Sequence, residues 1–167
     1  MDPSRLKRLA GDIQEQIRRG DRIVTGMNRF AHSADEASRD VDLSELLDLL
    51  AALALRFAAA RGVRVQVKRP PAAVRVTTAP FLLLNLMWLC LEGAMAAAGP
   101  GRTVELTAEN AADGVCLRLR RIEGLKEAPA AFLSAEPKGA LCLALGAQLS
   151  LDPEKNEMAL RLPMNRV

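Results

Sequence analysis

Residues Phe81 to Gly99, FLLLNLMWLCLEGAMAAAG, set the terms for the rest of the chain. The first half of this stretch is apolar on every helical face, which predicts a helix inside the protein rather than on its surface. Glu92 and Gly93 interrupt it too early for a membrane span, which needs about 20 apolar residues. Pro80 suits a first helical turn, Thr78 is placed to cap it, and Gly99-Pro100-Gly101 stops it. After Glu92 the residues are nearly all small: Gly93, Ala94, Ala96, Ala97 and Ala98. Small side chains at one helix end let another backbone or a ligand come close, and a tightly packed core helix needs nothing more.

A chain of 167 residues can bury one core around such a helix. Half the residues are apolar, yet the only aromatic ones are Phe30, Phe57, Phe81, Trp88 and Phe132, so that core is aliphatic. The net charge of +3 is mild, and there is neither a basic block nor an aromatic stacking set, which argues against nucleic-acid binding. Cys90, Cys116 and Cys142 lie far apart, each in an apolar run. This spacing fits buried free thiols rather than a disulfide framework or a zinc site. The N-terminus, MDPSRLKRLAGD, lacks the apolar run of a signal peptide. The expectation is a cytoplasmic protein with no membrane insertion.

From Ser4 to about His32 the apolar residues recur at helical spacing. In heptads, one position holds Leu6, Ile13, Gly20 and Met27, and its partner holds Leu9, Gln16, Ile23 and Phe30. Leu6, Leu9, Ile13, Ile23, Met27 and Phe30 make a coiled-coil-like seam whose narrowness favours pairing with a second copy, a homodimer. Ser33 to Asp42 reads as a polar linker. A second helix starts at Asp42, with Glu45 completing a capping box, and buries Leu43, Leu46, Leu47, Leu50, Leu53 and Phe57. Gly62 ends it. Val63, Val65 and Val67 alternate with polar residues as a strand, and Val74-Arg75-Val76 makes another after the Pro70-Pro71 turn.

Beyond the central helix, Val104, Leu106 and Ala108 predict a strand. A turn at Asp113-Gly114 joins it to a second, Val115, Leu117 and Leu119, as a hairpin. Glu123 to Lys138 is irregular, with room for one helical turn around Phe132. Gly139 to Gln148 predicts a short buried helix, and Leu149 to Leu162 a closing hairpin around Asp152-Pro153. The fold class is therefore α+β: a two-layer sandwich of a mixed, mostly antiparallel sheet with helices on one face, behind a long N-terminal helix.

That order resembles the transmitter region of bacterial sensor histidine kinases. Residues 1–35, ending in MNRFAHSAD, look like the second helix of the dimerisation hairpin. Residues 36–167 look like the ATP-binding domain of the wider superfamily that includes gyrase, a heat-shock chaperone, MutL and the anti-sigma kinases. The phrases VDLSELLDLLAALALRFAAARGVRV, LNLMWLCLEGAMAA, GALCLALGAQLSL and MALRLPM follow the family's order and spacing. The resemblance implies a Bergerat-like sandwich and a nucleotide site, and it places that site residue by residue. The family's magnesium-ligating Asn is matched by Glu92. The Asp of its Asp-x-Gly-x-Gly loop, which accepts from the adenine amine, is matched by Ile122; Gly124 keeps the first glycine and Lys126 replaces the second. In the phosphate loop Lys138, Ala140 and Cys142 take glycine positions, with Gly139 between the first two.

The residues that pack the fold survive and those that grip nucleotide do not. Isoleucine accepts no hydrogen bond, a carboxylate at position 92 repels a triphosphate, and a Cβ obstructs close phosphate approach. The expectation is a degenerate ATPase domain, a pseudokinase with no cofactor and no resident metal; Glu92 would reach a metal only with Mg-ATP. His32 is the only histidine. It sits near the end of the helix that resembles the second hairpin helix, whereas the family's phosphoacceptor lies on the first, so a structural or hinge role is expected. The function implied is a two-component signalling module working by contact with a response-regulator receiver domain or a histidine kinase. Three alternatives stay open: an ATP-binding histidine kinase domain with unorthodox loops, a histidine phosphotransferase using His32, and an anti-sigma or partner-switch module.

Overall fold

The period-two runs become a five-stranded sheet in the computed structural model of the protein, which describes residues 3–33, 38–127 and 136–164. In chain order the elements are α1 (Pro3–Ser33), β1 (Arg39–Asp42), α2 (Leu43–Ala60), β2 (Arg64–Lys68), β3 (Arg75–Thr78), α3 (Pro80–Ala98), β4 (Thr103–Ala111), β5 (Gly114–Arg120), α4 (Glu136–Leu145), β6 (Gln148–Asp152) and β7 (Glu157–Pro163). The large sheet runs β2-β4-β5-β7-β6, with β2 parallel to β4 and the other pairs antiparallel. One face carries Val104, Leu106, Leu117, Leu119, Met158 and Leu160, all buried in a single core with α2 and α3. Alternate residues point the other way, which is why the strands read as period two. The α+β class with its leading helix is the observed one.

Two features of α2 follow local chemistry. Asp42 caps it, accepting from Ser44 N at 2.9 Å and from Glu45 N at 3.4 Å. Gly62, at φ +67°, turns the chain into β2. Its buried stripe is Leu43, Leu46, Leu47, Leu50, Ala54 and Ala58. Phe57, expected in that stripe, is 49% exposed. The small Ala54 and Ala58 hold the inward positions instead, and Phe57, one residue off, meets Trp88 of α3 edge-on with centroids 5.2 Å apart.

Four other expectations change. The segment read as a linker contains β1, antiparallel to β3 in a separate two-stranded ladder, so β3 stands outside the large sheet. Buried Val41 and Val76 and the Arg75–Asp40 contact at 2.7 Å hold that ladder. Thr78 does not cap α3: it is the last residue of β3, paired to Arg39, and Ala79 takes the N-cap position with no side-chain cap before Pro80. The segment read as irregular to Lys138 is helical from Glu136, because α4 spans Glu136–Leu145. That helix is not buried as a whole, since Gly139, Ala140, Leu143 and Ala144 face outward and Leu143 is 85% exposed. Phe132 and its expected turn lie outside the described residues.

The Phe81 stretch forms α3 as expected. It is long and apolar enough to cross a membrane by composition, yet Leu83, Leu86, Met87, Leu91 and Met95 are buried in the core. α1 behaves differently. Every described side chain from Ser4 to Asp21 is exposed, including Leu6, Leu9 and Ile13, and Ile17 and Val24 are exposed beside them. Ile23 is half-buried. The side chains of Met27, Phe30 and His32 lie outside the described residues; the backbone places His32 in the last turn of α1.

Candidate functional site

The small-residue end of α3 receives a backbone. After β5 the chain turns through Arg121 at φ +64° into a tight turn over residues 123–127. Gly124 lands on α3 so closely that a Cβ there would stand 2.1 Å from the carbonyl oxygen of Ala97. Only glycine fits that approach, and only a helix end without large side chains can be approached so closely.

The rest of this turn is pinned by the chain itself. Arg121 reaches Glu105 at 3.2 Å, Glu123 meets Arg102 at 2.5 Å, and Lys126 meets Glu154 at 3.0 Å. Ile122 is fully buried and Leu125 nearly so. The Ile122 N–H donates to Asn156 O at 3.0 Å, and its carbonyl accepts from Leu125 N at 3.0 Å. The Asp-matched position is thus a hydrocarbon in the core, and the second-glycine position, Lys126, is an exposed ion pair.

The second half of α3 faces α4. Leu141, Cys142 and Leu145 are half-buried against the core. Lys138 shares their face at helical spacing and is only 5% exposed, not the solvated loop lysine that its sequence context predicts. Burial is the main cause that pulls its ammonium below the ordinary lysine value. Burial in turn pushes the Cys90 thiol up to about 12, so it stays protonated at neutral pH. Glu92 is half exposed and meets Arg61, from the end of α2, at 3.4 Å.

Of the expected positions, then, Glu92, Gly124, Lys138 and Cys142 gather along the second half of α3, and Ile122 lies beneath the turn. Gly139 and Ala140 point away. The surroundings add Arg61, Cys90, Leu125 and Asn156, none singled out by a sequence motif. Asn156 carried one usable signal, a turn residue after Asp152-Pro153, and it adopts φ +52°. All three cysteines are free thiols. Among the described residues no three His, Cys, Asp or Glu side chains converge as a metal site would need. A groove of about 420 Å³ lies at the opposite end of β5, lined in part by Asp113, Cys116, Arg118 and Arg161, and contains none of the expected positions.

Comparison with solved structures places this geometry. The chain matches the Acinetobacter baumannii histidine kinase AdeS with a TM-score of 0.65 at 10% identity, over 99% of this chain and 87% of that one. It matches the catalytic domain of histidine kinase ThkA, in a nucleotide-free form, with a TM-score of 0.63 at 11% identity, over 76% and 95%. The ATP binding domain of PrrB from Mycobacterium tuberculosis matches with a TM-score of 0.58 at 21% identity, over 78% and 100%. No protein-family model and no curated protein sequence matches. At these identities the likeness carries the fold. The fold of this chain is the histidine-kinase-like ATPase domain, preceded by a long helix.

Proposed function

We propose that this chain is a two-component signalling module that keeps the histidine-kinase-like scaffold, has lost nucleotide binding, and acts in the cytoplasm by contact with a response-regulator receiver domain or a histidine kinase. The turn around Ile122 carries the reading. Nucleotide held in the family's manner needs a carboxylate there to accept from adenine, and a buried Ile122 side chain accepts nothing. The polar groups of the turn are turned toward the chain's own Asn156, Arg102, Glu105 and Glu154. Glu92 adds a negative charge where the triphosphate would stand, and it already has Arg61 as a neighbour. These residues do not fit Mg-ATP, and no catalytic step through it is proposed.

Contact is the remaining means of action, and α1 supports it. An exposed stripe of Leu6, Leu9, Ile13 and Ile17 along the first half of α1 has to find cover. In this reading a second copy supplies it through the heptad seam. His32 has no role in the proposed mechanism.

Thermal unfolding with Mg-ATP tests the central claim. A site with a Kd near 10 μM would add about 2.7 kcal/mol at about 1 mM nucleotide, which raises Tm by about 5–10 °C in a domain of this size. The expected shift is under about 1 °C; a rise of several degrees would return the chain to the ATP-binding kinases.

A further inference from the structure

The groove of about 420 Å³ at the far end of β5 falls within the size range of small-ligand sites. Strand register builds it, on the face of the sheet turned away from α2 and α3. Cys116 of β5, Arg161 of β7 and Gln148 of β6 lie side by side in one row across three strands. Cys116 is 1% exposed and closes the floor, while Ala112 and Asp113 of the β4–β5 turn stand at the rim. Charge is left over here. Arg118, on the wall, is taken up by Glu109 at 2.6 Å and by Glu157. Arg161 is exposed and forms no ion pair among the described residues, and neither does Asp113. Burial raises the Cys116 thiol above its ordinary value, so it is neutral at pH 7 and gives Arg161 no counter-charge.

A guanidinium without a carboxylate, beside a closed concavity, is a seat for an oxyanion, and the Gln148 amide supplies a further donor. The charge count selects the class. One free cation balances one negative charge, whereas a phosphate monoester brings about two at neutral pH. The surplus would face Asp113. A carboxylate brings one, and its carbon body can rest on the thiol floor and the Ala112 methyl group. We propose that this groove binds a small organic monocarboxylate, with the acid group on Arg161 and Gln148 and the apolar body over Cys116 and Ala112. The inference does not depend on the nucleotide reading, because the groove and the Ile122 turn lie at opposite ends of β5. It gives a module that acts by contact a chemical input of its own.

Proton–nitrogen NMR of the full chain, titrated with sodium hexanoate at ionic strength matched by sodium chloride, tests the proposal. The amides of Ala112, Cys116, Gln148 and Arg161 should shift saturably with a Kd of about 1 mM or tighter, and those of the Ile122 turn should stay still. Arg161→Gln keeps a polar side chain at an exposed strand position, so the fold should survive while the Kd rises at least about tenfold. Ala112→Leu fills the groove from an exposed position and should weaken hexanoate with Arg161 still in place. Inorganic phosphate should bind more weakly than hexanoate. Shifts that stay linear through tens of millimolar hexanoate, or that survive Arg161→Gln unchanged, would overturn the site. Tighter binding of phosphate would overturn the ligand class. Mg-ATP melting bears on the nucleotide reading alone, so either idea can fail without the other.

Discussion

Gly124 shows how much one missing methyl group can decide. Its α-carbon rests on the Ala97 carbonyl, and an added Cβ would stand 2.1 Å from that oxygen. The obstacle is backbone in the last turn of α3, so it cannot swing aside as a side-chain tip would. Gly124→Ala should therefore displace the 122–125 turn and cost about 1–3 kcal/mol, read as a lowered urea midpoint with the m-value retained. Gly139→Ala is the control, since a Cβ there meets nothing within 4 Å; it should be near neutral or slightly stabilising, as α4 gains a better helix former. The contrast separates two glycines that look alike in sequence. The run from Gly93 to Ala97 was legible as a place of close approach, but not what approaches it. That answer depends on a turn some 27 positions further on, which no local pattern links to the helix. Lys138 was illegible for the same reason: its place between two prolines' reach and a glycine reads as a loop, and only the packing of α4 on α3 buries it.

At the scale of elements, legibility followed periodicity. The β4–β5 and β6–β7 hairpins, α2 and α3 all announce themselves through alternation, capping residues or an unbroken apolar run. β1 did not, because four residues with a single buried valine look like any polar connection, and its identity comes from pairing with β3. α1 was legible as a helix with a seam, and its exposure gives the seam consequences. The stretch from Ser4 to Asp21 extends about 27 Å at 1.5 Å per residue with no described side chain buried. A polar helix of this length is marginal alone in water and needs partner packing to persist. The proposed pairing predicts a solution mass near twice the 18.0 kDa chain by light scattering. Ile13 sits in the middle of the stripe and is 51% exposed in the single chain. Ile13→Lys should drop the mass to that of one chain and lower helical ellipticity, while the sheet domain keeps its own melting transition. A variant that stays dimeric would place the contact elsewhere.

Over the whole molecule, the two faces of the sheet are held by different physics. The inner face is aliphatic and insensitive to pH. The outer face is a lattice of ion pairs that crosses strand after strand: Lys68–Glu105 at 2.7 Å, Arg118–Glu109 at 2.6 Å, Arg120–Glu157 at 2.7 Å, and Arg118 also on Glu157. Exposed pairs of this kind contribute little, but Glu105 and Glu157 differ, with side chains only 8% and 10% exposed under the cations laid over them. The hydrogen bond from Lys68, aided by Arg121, holds the Glu105 carboxyl below its ordinary value of 4.5. Burial pushes Glu157 up, yet Arg120 and Arg118 together outweigh it and the net direction is again down from 4.5. A carboxyl with a depressed folded-state value is charged in the native protein and takes a proton more readily once unfolded. Its contribution is therefore complete above the unfolded value and disappears as pH falls through the folded one. The urea midpoint should hold steady from about pH 7 to about pH 5 and then decline as pH falls further through the lowered folded-state values. Glu157→Gln should cost about 1–2 kcal/mol at neutral pH, because Arg118 and Arg120 lose their shared acceptor, and progressively less as pH falls through the lowered folded-state value and the original carboxyl itself takes a proton. Parallel acid limbs for the two proteins would mean that Glu157 titrates no differently folded than unfolded. The outer face would then owe its order to strand pairing and not to charge.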